Sequence, residues 1–261
     1  MILKTQVMSP WRWGLSGALL GGLVSLLWFA PAHWLAAAVQ QASHGQVNLQ
    51  DARGTVWDGS AQLTLTGGAG SPAAATLPSR LQWTLQPSGL GLALQLHTPC
   101  CLQQPWRVLV QPRWGGLQVA FSDTSSTWPA PLLAGLGTPF NTLALQGQLM
   151  FSPQGLSASW VAGRVQLAGT AQLQLQEVSS RLSTLSPMGS YRLTLAGGSA
   201  PELQLATLQG PLQLSGRGQW VGGKLRFVGE ASSAPEHLGA LSNLLNIIGR
   251  RSGARSVITL G

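Results

Sequence analysis

Leu81–His97 reads LQWTLQPSGLGLALQLH, and in it apolar and polar residues change places at almost every step on either side of a Pro-Ser-Gly break. Successive side chains of an extended strand point to opposite faces, so a period of two marks two half-buried strands joined by a turn. The same alternation spreads outward in both directions. It recurs in QLTLTG from Gln62, RVLVQP from Arg107, LQVAFS from Leu117, LALQGQLMF from Leu143 and GRVQLAGTAQLQLQ from Gly163. It continues in YRLTLAG from Tyr191, ELQLATLQG from Glu202, LQLSGRGQW from Leu212 and KLRFVGE from Lys224. Gly, Pro and Ser fill the connections, as hairpins require. The expected fold class is an all-β domain, antiparallel and rich in hairpins, either curled into a groove or closed as a sandwich.

Composition narrows the setting. Charged residues make up 8% of the 261 residues, against roughly 25% in an ordinary soluble protein. Gln, Ser, Thr and Gly carry the polar positions instead, which suits an extracytoplasmic β-protein. The net charge of +8 comes from basic residues spread thinly along the chain. Such a spread gives a weak positive field suited to anionic lipid headgroups or an acidic partner. It does not suit nucleic acid, since there is no long Lys/Arg run, zinc-finger spacing or RNP-like aromatic motif.

The front of the chain differs from the rest. Trp13–Ala30, WGLSGALLGGLVSLLWFA, carries no charge. As a helix from Gly14 to Ala30 it would be roughly 26 Å long, close to a hydrocarbon core of ~30 Å. Trp11 and Trp13 at one end and Trp28 and Trp34 at the other read as interfacial anchors, while Lys4 and Arg12 on the N-terminal flank put the N-terminus in the cytoplasm. The expected layout is a cytoplasmic tail over 1–12, a transmembrane anchor over 13–34 and a periplasmic β-rich region over 35–261. The competing reading is a cleavable signal peptide with Ala30-Pro31-Ala32 as its cleavage site. Rigid Pro31, bulky Trp28 and Phe29, and the length of the apolar run weigh against it. Both readings export the remainder.

Within the exported part, Gly68–Pro78 reads as a flexible loop, and residues 122–139, rich in Pro, Ser and Gly, mark a point of subdivision. Pro235–Ile248 places Leu238, Leu241, Leu244, Leu245 and Ile248 at helical spacing, so a short C-terminal helix with one apolar face is expected. Gly249 is expected to stop it, and SVITL returns to strand.

The chemistry sought is mostly missing from the sequence. The carboxylates are scattered, His33, His44, His97 and His237 lack metal-ligand spacing, and no GxSxG occurs. No catalytic residue, metal, cofactor or small-molecule substrate is expected. The opposing enzyme reading needs several of Asp51, Asp58, Asp123, His97 and His237 to converge in a polar pocket. GQWVGGK, from Gly218 to Lys224, has the glycine and lysine spacing of a P-loop. Leu225 follows the lysine and strands flank both sides, so it reads as a hairpin turn. Cys100 and Cys101 leave four readings open: a vicinal disulfide, a redox switch, an intermolecular bridge or two thiols. Adjacent strand side chains point apart, so bonding needs a distorted turn near Pro99.

Several features in order resemble the type II secretion system protein N family: a short tail, a tryptophan-bearing apolar segment, GTVWDGSA from Gly54, LQWTLQPSGL from Leu81, the paired cysteines, and GRGQWVGGKLRFVGEASSAPEHLGALSNLLNIIGRRSGARSVITL near the C-terminus. The resemblance spans nearly the full chain. It implies an accessory inner-membrane subunit whose periplasmic domain contacts other secretion components and whose anchor contacts membrane lipid. Gly54, Trp57 and Gly59 then read as a structural turn, with an exposed, partner-binding Trp57 as the alternative. The family also resembles AsmA-like proteins, whose Leu-lined grooves could hold acyl chains; the opposing reading is a closed sandwich core. Arg250, Arg251 and Arg255 form the one local basic cluster, read either as a docking site or as a solvated turn.

Overall fold

A computed structural model describes residues 10–68, 71, 73–161, 163–221 and 224–261. The expected tail with Lys4, the side chain of Arg12, Ala69, Gly70 and Pro72 of the expected loop, and Gly222 and Gly223 of the P-loop-like stretch lie outside the described residues.

Helix α1 (Pro10–Trp28) is followed by α2 (Ala32–Ala42). The sequence suggested one helix running to Ala30, but the chain breaks at Trp28. Pro31 disfavours helical backbone at the residue before it. The link is also held elsewhere, since the Ala30 carbonyl accepts from the Val56 N–H at 2.8 Å and Pro31 bridges Thr55. Trp34 therefore stands on the second helix, beyond the break from Trp28. α1 is exposed along its described length, so it projects away from the sheet. No helix among the described residues is long and apolar enough to cross a membrane.

The rest is strand. In chain order these are β1 (Val47–Gly54), β2 (Asp58–Thr66), β3 (Ala74–Thr76), β4 (Leu81–Ser88), β5 (Gly91–His97), β6 (Trp106–Arg113), β7 (Gly116–Phe121) and β8 (Ser126–Pro129). A 3₁₀ turn at Ala130–Leu136 and the short α3 (Phe140–Leu143) follow. Then come β9 (Gln146–Val161), β10 (Arg164–Ser179), β11 (Gly189–Gly198), β12 (Glu202–Gln209), β13 (Leu212–Val221) and β14 (Lys224–Ser233). Helix α4 (Leu238–Ile248) precedes β15 (Arg250–Ser252) and β16 (Arg255–Leu260).

Among the described residues all sixteen strands join one hydrogen-bonded antiparallel sheet. β1 and β15 are its two ends, and β3 and β8 lie beside β2 and β9. A sandwich would divide the strands between two sheets, whereas here short hairpins keep each new strand beside the last. The sheet runs on across residues 122–139, because β7 pairs directly with β9.

Apolar faces are covered unevenly. The largest core lies under α4, where Leu241, Leu244 and Leu245 pack with Tyr191, Leu212, Met188, Val178 and Ala231. The apolar face expected of this helix is thus the one buried. Gly249 ends α4 as expected, and its backbone there is extended. A Cβ at Gly249 would meet the Val257 carbonyl oxygen at 2.5 Å, so lack of space excludes a side chain there. Two smaller clusters sit nearer the front: Ala32, Ala61 and Trp83, and Leu77, Cys101 and Leu132. The second corrects the reading of Gly68–Pro78 as a flexible loop over its part from Ala74 to Leu77. β3 lies inside that segment, paired to β2, and Leu77 is buried against its neighbours. Burying Leu77 removes apolar surface from water and anchors the small strand.

Candidate functional site: the junction of helix and sheet

The turn between β1 and β2 forms the seat on which α1 meets the sheet. Gly54 takes φ +87, and a Cβ there would lie 2.5 Å from the Asp58 carbonyl oxygen. Only glycine fits such a left-handed, crowded position without strain. At Gly59 a Cβ would meet the Trp83 ring at 2.5 Å, so the absent side chain lets Trp83 lie flat beneath the turn. The Trp83 indole N–H donates to the Val56 carbonyl at 3.1 Å and fixes the loop from below.

Trp57 crowns the turn. It is half-buried, and its indole N–H donates to the Leu27 carbonyl at 2.8 Å, in the last turn of α1. That carbonyl is one of the acceptors a helix end leaves without an internal partner. Trp28, Phe29, Thr55, Trp57, Leu85 and Pro87 enclose a mostly apolar cleft of about 390 Å³. Trp57 therefore joins the sheet to the helix rather than standing free. Sequence reasoning chose Gly54, Trp57 and Gly59 but missed Leu85 and Pro87. The signal was present in Pro87 and Leu85, which share the apolar face of β4.

Beside the turn, Asp51 sits at φ +48 in a β-bulge between Gln50 and Arg53. Arg53 reaches its carboxylate at 2.7 Å and Arg80 at 2.8 Å. Hydrogen bonds from Arg53 first, and then Arg80, hold the carboxyl below its ordinary 3.8. Arg80 also donates to the Asp51 backbone carbonyl at 2.6 Å and so ties the start of β4 to β1.

The remaining residues singled out in the sequence lie away from the junction. Cys100 and Cys101 are joined by a disulfide, with Cys100 exposed and Cys101 buried in the small cluster with Leu77. Arg250, Arg251 and Arg255 lie on the exposed β15–β16 hairpin. Arg255 pairs with Glu230 at 3.2 Å and Arg251 donates to the Asn246 side chain at 3.1 Å. Val221 pairs with Lys224, so GQWVGGK joins two antiparallel strands with no helix for a phosphate to meet. Asp51, Asp58, Asp123, His97 and His237 stand on different elements; Asp51 is bound to arginines, and Asp123 accepts from the Gly155 N–H at 2.6 Å. Among the described residues no three His, Cys, Asp or Glu side chains are placed to hold a metal ion.

Sheet and junction together define a β-sheet protein with an exposed apolar helix seated at one end of its strands. The family model for type II secretion system protein N matches residues 45–258, and the chain belongs to that family. It is therefore related to a component of a secretion machine. No curated protein and no solved structure shows a significant similarity to it.

Proposed function

We propose that this chain is an accessory inner-membrane subunit of the type II secretion system. It takes part in the export of folded periplasmic proteins across the outer membrane through contacts of its sheet with other inner-membrane secretion components. The observation that carries the reading is the junction, at which an apolar, unpacked helix leaves the sheet through a hydrogen-bonded, apolar seat. A helix whose described apolar residues all stay exposed needs another apolar surrounding.

The uncharged part of α1, Trp13–Trp28, spans about 24 Å, short of a ~30 Å core. Local thinning and snorkelling of flanking side chains accommodate a mismatch of this size. Trp11 and Trp13 at one end and Trp28 at the other are residue types that prefer the interface. With Arg12 on the N-terminal side, the N-terminus is cytoplasmic and the sheet periplasmic. The sheet acts by binding, its surface being Gln, Ser and Thr with few ions.

Alkaline carbonate washing of membranes, followed by N-terminal sequencing of the chain and capture of its partners, tests the proposal. The expected result is an uncleaved chain that stays in the pellet and brings down inner-membrane secretion subunits. A product beginning after Ala32 and released by carbonate overturns the anchor. A retained chain that captures none of those subunits overturns the role.

A further inference from the structure

We infer that the hairpin turns flanking the junction form a second membrane contact, an edge of apolar prongs with arginines that rests on an anionic bilayer surface. The inference rests on the reading of α1 as an anchor. Strand register brings the relevant turns together. Asp58 pairs with Thr84 and Ala61 with Leu81, so the seat of α1 lies toward the Ser88 end of β4. Leu92 pairs with Val110, and Gly116 with Val161. The β4–β5, β6–β7 and β9–β10 turns therefore all lie at the end of the sheet from which α1 departs.

Each of these turns exposes large apolar side chains. Leu90 is 92% exposed and Trp114 100%, while Val165 is 58% and Trp160 45% exposed. Two of the turns also carry an exposed cation, Arg113 and Arg164. Arg113 has a hydrogen bond to Gln118 at 2.8 Å, a neutral partner. From Gly59 to Gln176 the only carboxylate is Asp123, which follows β7 at the opposite end of the strand. Asp58 is the exposed acid at the seat of α1 itself, while the three turns carry cations and apolar side chains without a carboxylate, which suits anionic headgroups over acyl chains. With ~4.8 Å between strands, successive turns stand about 10 Å apart. Separate prongs at that spacing fit a fluid surface better than one protein pocket. The inference is confined to the turns nearest α1, because a twist of roughly 20–25° per strand accumulates toward β13 and β14.

The test uses the full chain in proteoliposomes. Leu90→Cys, Trp114→Cys and, at the other end of the strands, Gln209→Cys each receive a thiol-reactive fluorophore; the paired native cysteines leave no competing free thiol. In phosphatidylglycerol-containing vesicles, nitroxide lipids should quench the labels at 90 and 114 while iodide quenches the label at 209. Arg113→Gln combined with Arg164→Gln should shift the docked fraction toward solvent by roughly 25-fold, at about five-fold per cation. In phosphatidylcholine vesicles the unsubstituted edge should show a similar loss. Labels at 90 and 114 as open to iodide as that at 209, in a chain that resists carbonate, would overturn the edge and keep the anchor. Labels quenched by nitroxide lipid in a chain that carbonate strips would break the anchor and keep the edge. Shielding of 90 and 114 that appears only with secretion partners present would assign the prongs to a protein surface and overturn the lipid contact.

Discussion

β1–β7 and β9–β16 are written in the same alphabet of Leu, Gln, Thr and Gly, yet the two halves hold themselves together by different means. The later strands share a core roofed by α4, with Leu241, Leu244 and Leu245 buried beneath it. The earlier strands have only the small clusters around Trp83 and Leu77, supplemented by a disulfide, an arginine-bound carboxylate and indole hydrogen bonds. Alternation specifies a sheet, but it does not say what will cover the apolar face. Around α4 the chain supplies its own cover, and elsewhere part of that face stays open, as at Leu92 and Leu117 and at Trp160 opposite Leu117.

The largest effect should come from removing that cover. Leu245→Ala or Leu244→Ala is expected to cost about 2–5 kcal/mol, as buried leucines do, whereas Leu92→Ala should cost less than about 0.5 kcal/mol. Denaturant unfolding of the full chain in detergent measures both, and equal losses would break the contrast. Next, Gly54→Ala forces a side chain into a left-handed, crowded position at a cost of about 1–3 kcal/mol. Hydrogen exchange should quicken in β1, β2 and β4 and stay unchanged in β10 and β11. Spread of the change into the later strands would show the halves to be one cooperative unit.

A smaller effect is expected from Trp57→Phe, which keeps a ring but leaves the Leu27 carbonyl without its donor, at about 0.5–1.5 kcal/mol. Faster proteolysis between Phe29 and Ala32, with no change elsewhere, is the expected outcome. Tyr191 reports the later half alone, since it is the one tyrosine in the chain. Burial raises its hydroxyl well above the ordinary value of 10.0, and it donates to the Leu212 carbonyl at 3.2 Å. The folded state therefore gains stability below pH 10 that is lost as pH rises beyond it, because the unfolded chain ionises first. Ultraviolet titration should show no phenolate near pH 10 while the core is intact. A normal titration would mean the roof is open.

The smallest effect belongs to Asp51. Its lowered carboxyl contributes stability above 3.8 that is lost as pH falls through the lower folded value. Asp51→Asn should thus narrow its difference from the unsubstituted chain under strong acid, and an equal difference at pH 2 and pH 7 would contradict the ion pairs.

The strands were legible because period two survives in any short window, and the α4 face because its leucines repeat every three or four residues. Pairing across residues 122–145 was not, since it depends on β7 meeting β9 over an intervening turn and helix. Nor was β3, whose Ala-Ala-Thr has no alternation and is set by the burial of Leu77 and the Thr64–Thr76 contact at 3.1 Å. At the junction, Gly54, Gly59 and Trp57 stood out by residue type. Their partners, the Leu27 carbonyl and the Trp83 ring, are tertiary facts with no local signal. The break after Trp28 was legible in Pro31, yet the apolar run concealed it.

The far border of the sheet has its own consequence. A long row of unpaired backbone donors and acceptors would invite a neighbour's strand, but β15 offers only Arg250, Arg251 and Ser252. Like charges facing one another across so short a seam oppose stacking of copies into fibrils. That border is thereby a poor template for a second copy's strand.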